Sequence, residues 1–165
     1  MRKTACSSCI RQMWDRLLRF RRLSRDEQLL FLRAAILLPL ISLSLRARGF
    51  AATQKWLRRF LRDEDMRLER IEKSEEPRVE RAVRAAARHG FGSPTCLEQS
   101  LALWWLLGRR GIPSEVRIGV RKKGEELEAH AWVEQNGAAL NEPEGAHRHY
   151  EAFDAGLWRF LVEKR

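Results

Sequence analysis

Cysteine is scarce in this chain. Three occur in 165 residues, Cys6, Cys9 and Cys96, too few and too unevenly spaced for a disulfide framework. Cys6-Ser7-Ser8-Cys9 is a lone Cys-x-x-Cys pair. Zinc wants four ligands, and although His147 and His149 could complete a set, nothing in their spacing demands it. The pair reads as two idle thiols in a frayed terminus. There is also no Gly-rich phosphate loop, internal repeat, low-complexity tract or acidic cluster suited to a hard cation, so no cofactor or metal is expected. Met1-Arg2-Lys3 is basic, but no apolar segment follows directly; the reading is a cytoplasmic chain without a secretory signal. The most apolar run, residues 34–45, is shorter than the about 20 residues a spanning helix needs. Stable membrane insertion is therefore not expected.

Positive charge is abundant and sits at one end. Residues 1–70 carry 17 Lys and Arg against 7 Asp and Glu, whereas residues 71–165 carry 15 of each. The whole excess of +10 belongs to the N-terminal part. Such a region seeks something acidic: nucleic acid, an anionic surface, or an acidic protein or peptide.

The helical signals come in order. Ser24-Arg25-Asp26-Glu27 is a capping box, and the apolar residues from Leu29 to Leu45 continue from it as a helix, bent or broken near Pro39 and ended by Gly49. Residues 53–68 form a second amphipathic helix with Trp56, Leu57, Phe60 and Leu61 in one stripe. A third helix enters at Pro77 and carries Val79, Ala82, Val83 and Ala86; His89-Gly90-Phe91-Gly92 stops it. Thr95 and Glu98 make another capping box, which places Cys96 in the first turn of a fourth helix running to about Arg110. Leucines and tryptophans surround that helix, so it should be buried.

Alternation then takes over. Val116, Ile118 and Val120 mark one strand, Leu127 to Glu134 a second, and after Asn136-Gly137 the chain returns through residues 138–142 as a third. Residues 150–162 close the chain as a helix or a strand. The fold class that follows is α+β, with a central helix packed on a small antiparallel sheet.

Cys96 and His130 are the candidate chemistry. At a helix N-terminus, free N–H groups and the positive dipole end favour a thiolate. His130 shares one strand face with Glu128, Trp132 and Glu134, where Trp132 could shelter a cysteine–histidine pair from water. A third residue would orient the imidazole. If Asn136-Gly137 is a two-residue loop, Trp132 pairs with Asn141, and Asn141 lies on the face of His130. If Gln135 joins the loop, His130 pairs with Glu142. The competing reading is a basic nucleic-acid-binding helical domain with a structural cysteine and histidine, which predicts salt-sensitive binding.

Ser93-Pro94-Thr95-Cys96-Leu97, Ser100-Leu101-Ala102-Leu103, Arg110-Gly111-Ile112, Arg117-Ile118-Gly119-Val120 and Ala129-His130-Ala131-Trp132-Val133-Glu134 closely resemble the lasso-peptide leader peptidases. These are transglutaminase-like cysteine proteases. The resemblance covers about residues 93–142 and extends more loosely over the basic N-terminal region. It implies a transglutaminase-like (papain-like) core over residues 77–165, preceded by a basic helical region over residues 1–76 that docks a partner. It also implies cleavage of a ribosomally made precursor peptide between leader and core, with Cys96 as nucleophile and His130 as base then acid. The family's orienting Asp falls on Glu142, with Asn141 as the alternative. As a stand-alone form, the chain would act with a separate leader-binding protein and pass the core to an ATP-dependent macrolactam synthetase. No nucleic-acid partner is expected on this reading. Another transglutaminase-like activity, acyl transfer or deamidation, is the nearer alternative.

Overall fold

The computed structural model describes residues 20–61, 75–142 and 146–152, apart from 22 and 91. Cys6, Cys9 and the segments 62–74 and 153–165 lie outside the described residues.

Helix α1 spans Arg25–Arg59. The Ser24 hydroxyl accepts from the Glu27 N–H at 3.2 Å, and the Glu27 carboxylate accepts from the Ser24 N–H at 3.0 Å. This reciprocal cap holds the Glu27 carboxyl below its ordinary range, the Ser24 backbone bond being the largest cause. The expected break at Pro39 is absent: the residue is exposed and its backbone stays helical. The interruption falls instead at Gly49, with φ 76° and ψ −179°, values that glycine adopts without steric cost. Thr53 secures the joint, donating to Gly49 O at 2.8 Å and sharing a 2.9 Å bond with Ser44 Oγ. The helix ends at Arg59, well before the expected residue 68, because the Phe60 and Leu61 N–H groups turn back onto the Leu57 and Arg58 carbonyls.

Helix α2 spans Glu75–His89 and buries Val79, Ala82, Val83 and Ala86, the stripe its periodicity marks. Helix α3 spans Cys96–Gly108. It packs at the centre: Leu101, Leu103, Leu106 and Leu107 are at most 2 % exposed. Leu30, Ala34, Leu37, Leu38 and Ile41 from α1 belong to this same core. Arg110, just beyond α3, pairs with Asp26 at 2.6 Å and with Glu75, tying the starts of α1 and α2 to the end of α3. By length and composition α1 could also cross a membrane, since its flanking polar residues join the apolar run in one helix. In this fold its buried face is part of the protein core, and Leu29, Leu32, Ile36, Leu40 and Leu43 remain exposed.

Among the described residues the sheet has four strands in the order β3-β2-β1-β4. Strands β1 (Glu115–Lys123) and β2 (Glu126–Gln135) form the long antiparallel hairpin, with Gly119 opposite His130 and Arg117 opposite Trp132. Strand β3 is only Ala138–Ala139, pairing with Gln135 and Glu134. Strand β4, Glu151–Ala152, adds to the far side of β1 and makes this part of the closing segment a strand. Val116 and Val133 face α3 and its core; His130 and Trp132 lie on the other face. The architecture is α+β.

Because α1 completes the core, Ile41→Ala should cost about 2–5 kcal/mol although it lies far from the sheet. Chemical denaturation checks this. An unchanged midpoint would mean that α1 is not part of the cooperative unit.

Candidate active site

The start of α3 forms as its sequence dictates. Thr95 Oγ1 accepts from the Glu98 N–H at 3.4 Å, and the Glu98 carboxylate accepts from the Thr95 N–H at 2.7 Å. Gln99 donates its side-chain amide to Pro94 O at 2.9 Å, holding the entering loop against the first turn. Cys96 is the first helical residue and partly buried. It sits in the first turn of α3, where backbone N–H groups have no partner within the helix.

One turn further along α3 is Ser100, fully buried. Its hydroxyl donates to Ala131 O at 3.0 Å and accepts from Asn141 Nδ2 at 3.1 Å. Ala131 follows His130 in β2, so this bond fixes α3 against β2 beside the histidine. Residues four apart on a helix share a face, so Cys96 lies about 6 Å along the axis from Ser100, on the side that meets β2.

The hairpin loop has two residues. Asn136 and Gly137 have φ of 51° and 78°, both positive as a type I′ turn requires, and Glu134 pairs with Ala139. Continued, that register would put Asn141 on the face of His130. The ladder does not continue. Leu140 N–H still donates to Val133 O at 2.9 Å, but the Val133 N–H goes to Asn141 Oδ1 at 2.7 Å. The Asn141 side chain thus takes a place in the ladder, the strand ends, and the chain bends. The next residue, Glu142, reaches the imidazole: its Oε1 is hydrogen-bonded to His130 Nε2. Asn141 binds Val133 and Ser100, not His130.

His130 and Glu142 are half-sheltered, with side-chain exposures of 21 % and 10 %. Trp132 stacks alongside His130 at 6.4 Å between ring centroids and 20° between planes, and the Tyr150 ring is 5.1 Å away. Trp132 is 2 % exposed. Tyr150 also lies under the Arg121 guanidinium at 4.6 Å, and burial raises its phenol above the ordinary range despite that cation. Gly119 makes this packing possible. A Cβ there would fall 2.9 Å from Tyr150 Cβ and 3.0 Å from both Trp132 Cη2 and Glu151 O.

With Nε2 engaged by the carboxylate, Nδ1 is the ring nitrogen left to take a proton from a thiol. No hydrogen bond joins Cys96 to His130 among the described residues. Apo catalytic pairs are commonly longer than in the substrate complex. No group of three or more His, Cys, Asp and Glu suited to a metal occurs among the described residues.

Ser100, Tyr150 and Gly119 are absent from the sequence-derived site. Ser100 carried a legible signal, a hydroxyl one turn after the cysteine at the head of the apolar run Leu101 to Leu107. Tyr150 carried none, because its approach depends on β4 pairing back to β1.

A family model described as the transglutaminase-like superfamily matches residues 34–153. No curated protein and no solved structure matches the chain.

Ser100→Ala should cost about 1–3 kcal/mol by leaving the Ala131 carbonyl without its partner. Gly119→Ala should cost about 1–3 kcal/mol through overpacking and shift tryptophan emission as Trp132 moves. Thermal unfolding and fluorescence test both; two neutral variants would contradict this packing.

Proposed function

This chain belongs to the transglutaminase-like superfamily, and from that membership we propose that it is a cysteine peptidase removing the leader from a ribosomally made lasso-peptide precursor. The superfamily includes both cysteine peptidases and acyl transferases. The observation that carries the proposal is the pairing of Glu142 with His130 Nε2 at the edge of β2 where α3, opened by Cys96, is anchored. A carboxylate on the distal nitrogen fixes the orientation of the imidazole, which a histidine acting as base toward a thiol requires.

In the proposed reaction, the Cys96 thiol gives its proton to His130 Nδ1, and the sulfur attacks the carbonyl carbon between leader and core. The oxyanion develops near the Cys96 backbone N–H, a first-turn donor that the helix itself does not use. Collapse breaks the C–N bond as His130 passes its proton to the leaving amine, leaving the leader as a thioester on Cys96. Water then loses a proton to His130 and attacks the thioester. The leader departs as a carboxylic acid, and Cys96 recovers its proton. Glu142 holds the imidazole orientation throughout, and Trp132 and Tyr150 limit water around it.

The partner is a separate leader-binding protein, and the freed core would be substrate for an ATP-dependent macrolactam synthetase. The exposed stripe of Leu29, Leu32, Ile36, Leu40 and Leu43 on α1, set among the arginines of the N-terminal region, supports docking of the leader-binding protein there. Because the other face of α1 is core, point variants test this better than truncation. Ile36→Glu with Leu40→Glu should weaken partner binding at least about tenfold and leave thermal stability nearly unchanged. Unchanged affinity would rule the docking face out.

The principal test incubates precursor peptide with the enzyme, with and without the leader-binding protein, and weighs the products. Free leader and core should appear and be abolished by Cys96→Ala. Glu142→Gln should lower the rate by roughly 10²–10⁴-fold, with Glu142→Asp less impaired. A substrate glutamine modified without chain cleavage would instead identify an acyl transferase.

A further inference from the structure

A cleft of about 600 Å3 opens beside Glu142, between α2 and the first turns of α3. Arg84, Ala87 and Arg88 line one wall, and Gln99, Asn141 and Glu142 the other. It adjoins the candidate site through Glu142, which lines it and holds His130, and Gln99 on its wall is three residues beyond Cys96.

The charges in the cleft are unequal in availability. Glu142 is occupied by His130, and Arg84 by Glu80 one turn earlier in α2. Arg88 is exposed and has no carboxylate partner among the described residues. The sequence offers none nearby on the same helix, since residues 81–90 hold three arginines and no carboxylate. Gln99 donates its side-chain amide N–H to Pro94 O, which leaves its carbonyl oxygen as the acceptor for a peptide N–H. Glu142 on the same cleft repels a second carboxylate, and Arg88 is the cation there to offset it.

We propose that this cleft is a substrate subsite for a carboxylate-bearing peptide residue close to the scissile bond, with Arg88 as the selecting cation and Arg84 as its supporting neighbour. The inference deepens the peptidase reading and rests on it for the word substrate. The binding preference itself can be measured without turnover. Arg88 lies outside the machinery of Cys96, His130 and Glu142, so its replacement changes recognition and not the chemical step.

The test uses the full-length Cys96→Ala protein and two acetylated heptapeptides of alanine that differ only in a central Glu or Gln, titrated while the arginine Nε–H and Gln99 amide resonances are followed. The Glu peptide should shift the Arg88 and Gln99 signals and bind about fivefold more tightly than the Gln peptide at low salt, the scale of an exposed ion pair. That preference should vanish in Arg88→Gln, turn in favour of the Gln peptide in Arg88→Glu, and fade at about 0.5 M salt. Equal affinities, absence of binding by both peptides, or a preference that survives Arg88→Gln would overturn the subsite. Precursor cleavage, measured separately with unaltered Cys96, would then still stand or fall independently. A Glu preference in a protein that cleaves nothing would keep the subsite and end the peptidase reading.

Discussion

The buried hydroxyl of Ser100 is the joint on which the site depends. It satisfies the Ala131 carbonyl, which the two-residue β3 strand is too short to reach, and it receives the Asn141 amide. Both partners are polar groups that would otherwise be stranded at a dry helix–sheet seam, where an unmet hydrogen bond is costly. Through them, one side chain sets the height of α3 on the sheet and the place where the returning strand leaves it. Cys96 is carried by the first of these settings and Glu142 by the second.

Around that joint the chain is arranged in support. Capping boxes define the starts of α1 and α3, and Arg110 draws the starts of α1 and α2 together at the far end of α3. On the other side of the sheet, Gly119 leaves the space in which Trp132 and Tyr150 flank the imidazole. The histidine is therefore packed beside two aromatic rings and held by a carboxylate on Nε2. That hold leaves Nδ1 as the ring nitrogen for proton transfer, as a base acting on a thiol requires.

The N-terminal region serves both structure and surface. Its first helix contributes a face to the same hydrophobic core as the sheet-facing helix, while a second apolar face and many arginines remain outside. A chain with that division cannot shed its basic region without losing part of its interior. Membership of the transglutaminase-like superfamily beginning within α1 accords with this shared core.

Local chemistry was enough to declare the helix starts, the stripe on α2, the burial of α3 and the β1–β2 hairpin. Those features depend on neighbours in sequence: a cap and its third residue, a 3.6-residue period, an alternation of two. The partner of His130 was another matter. The hairpin loop has the two residues that favour Asn141, yet Glu142 makes the contact, because Asn141 answers to Ser100 and to the Val133 N–H and ends the strand early. Tyr150 and Gly119 likewise acquire their parts only when β4 folds back on β1. Spacing along a chain can propose which groups meet, but competition for buried hydrogen bonds among distant residues decides which of them do.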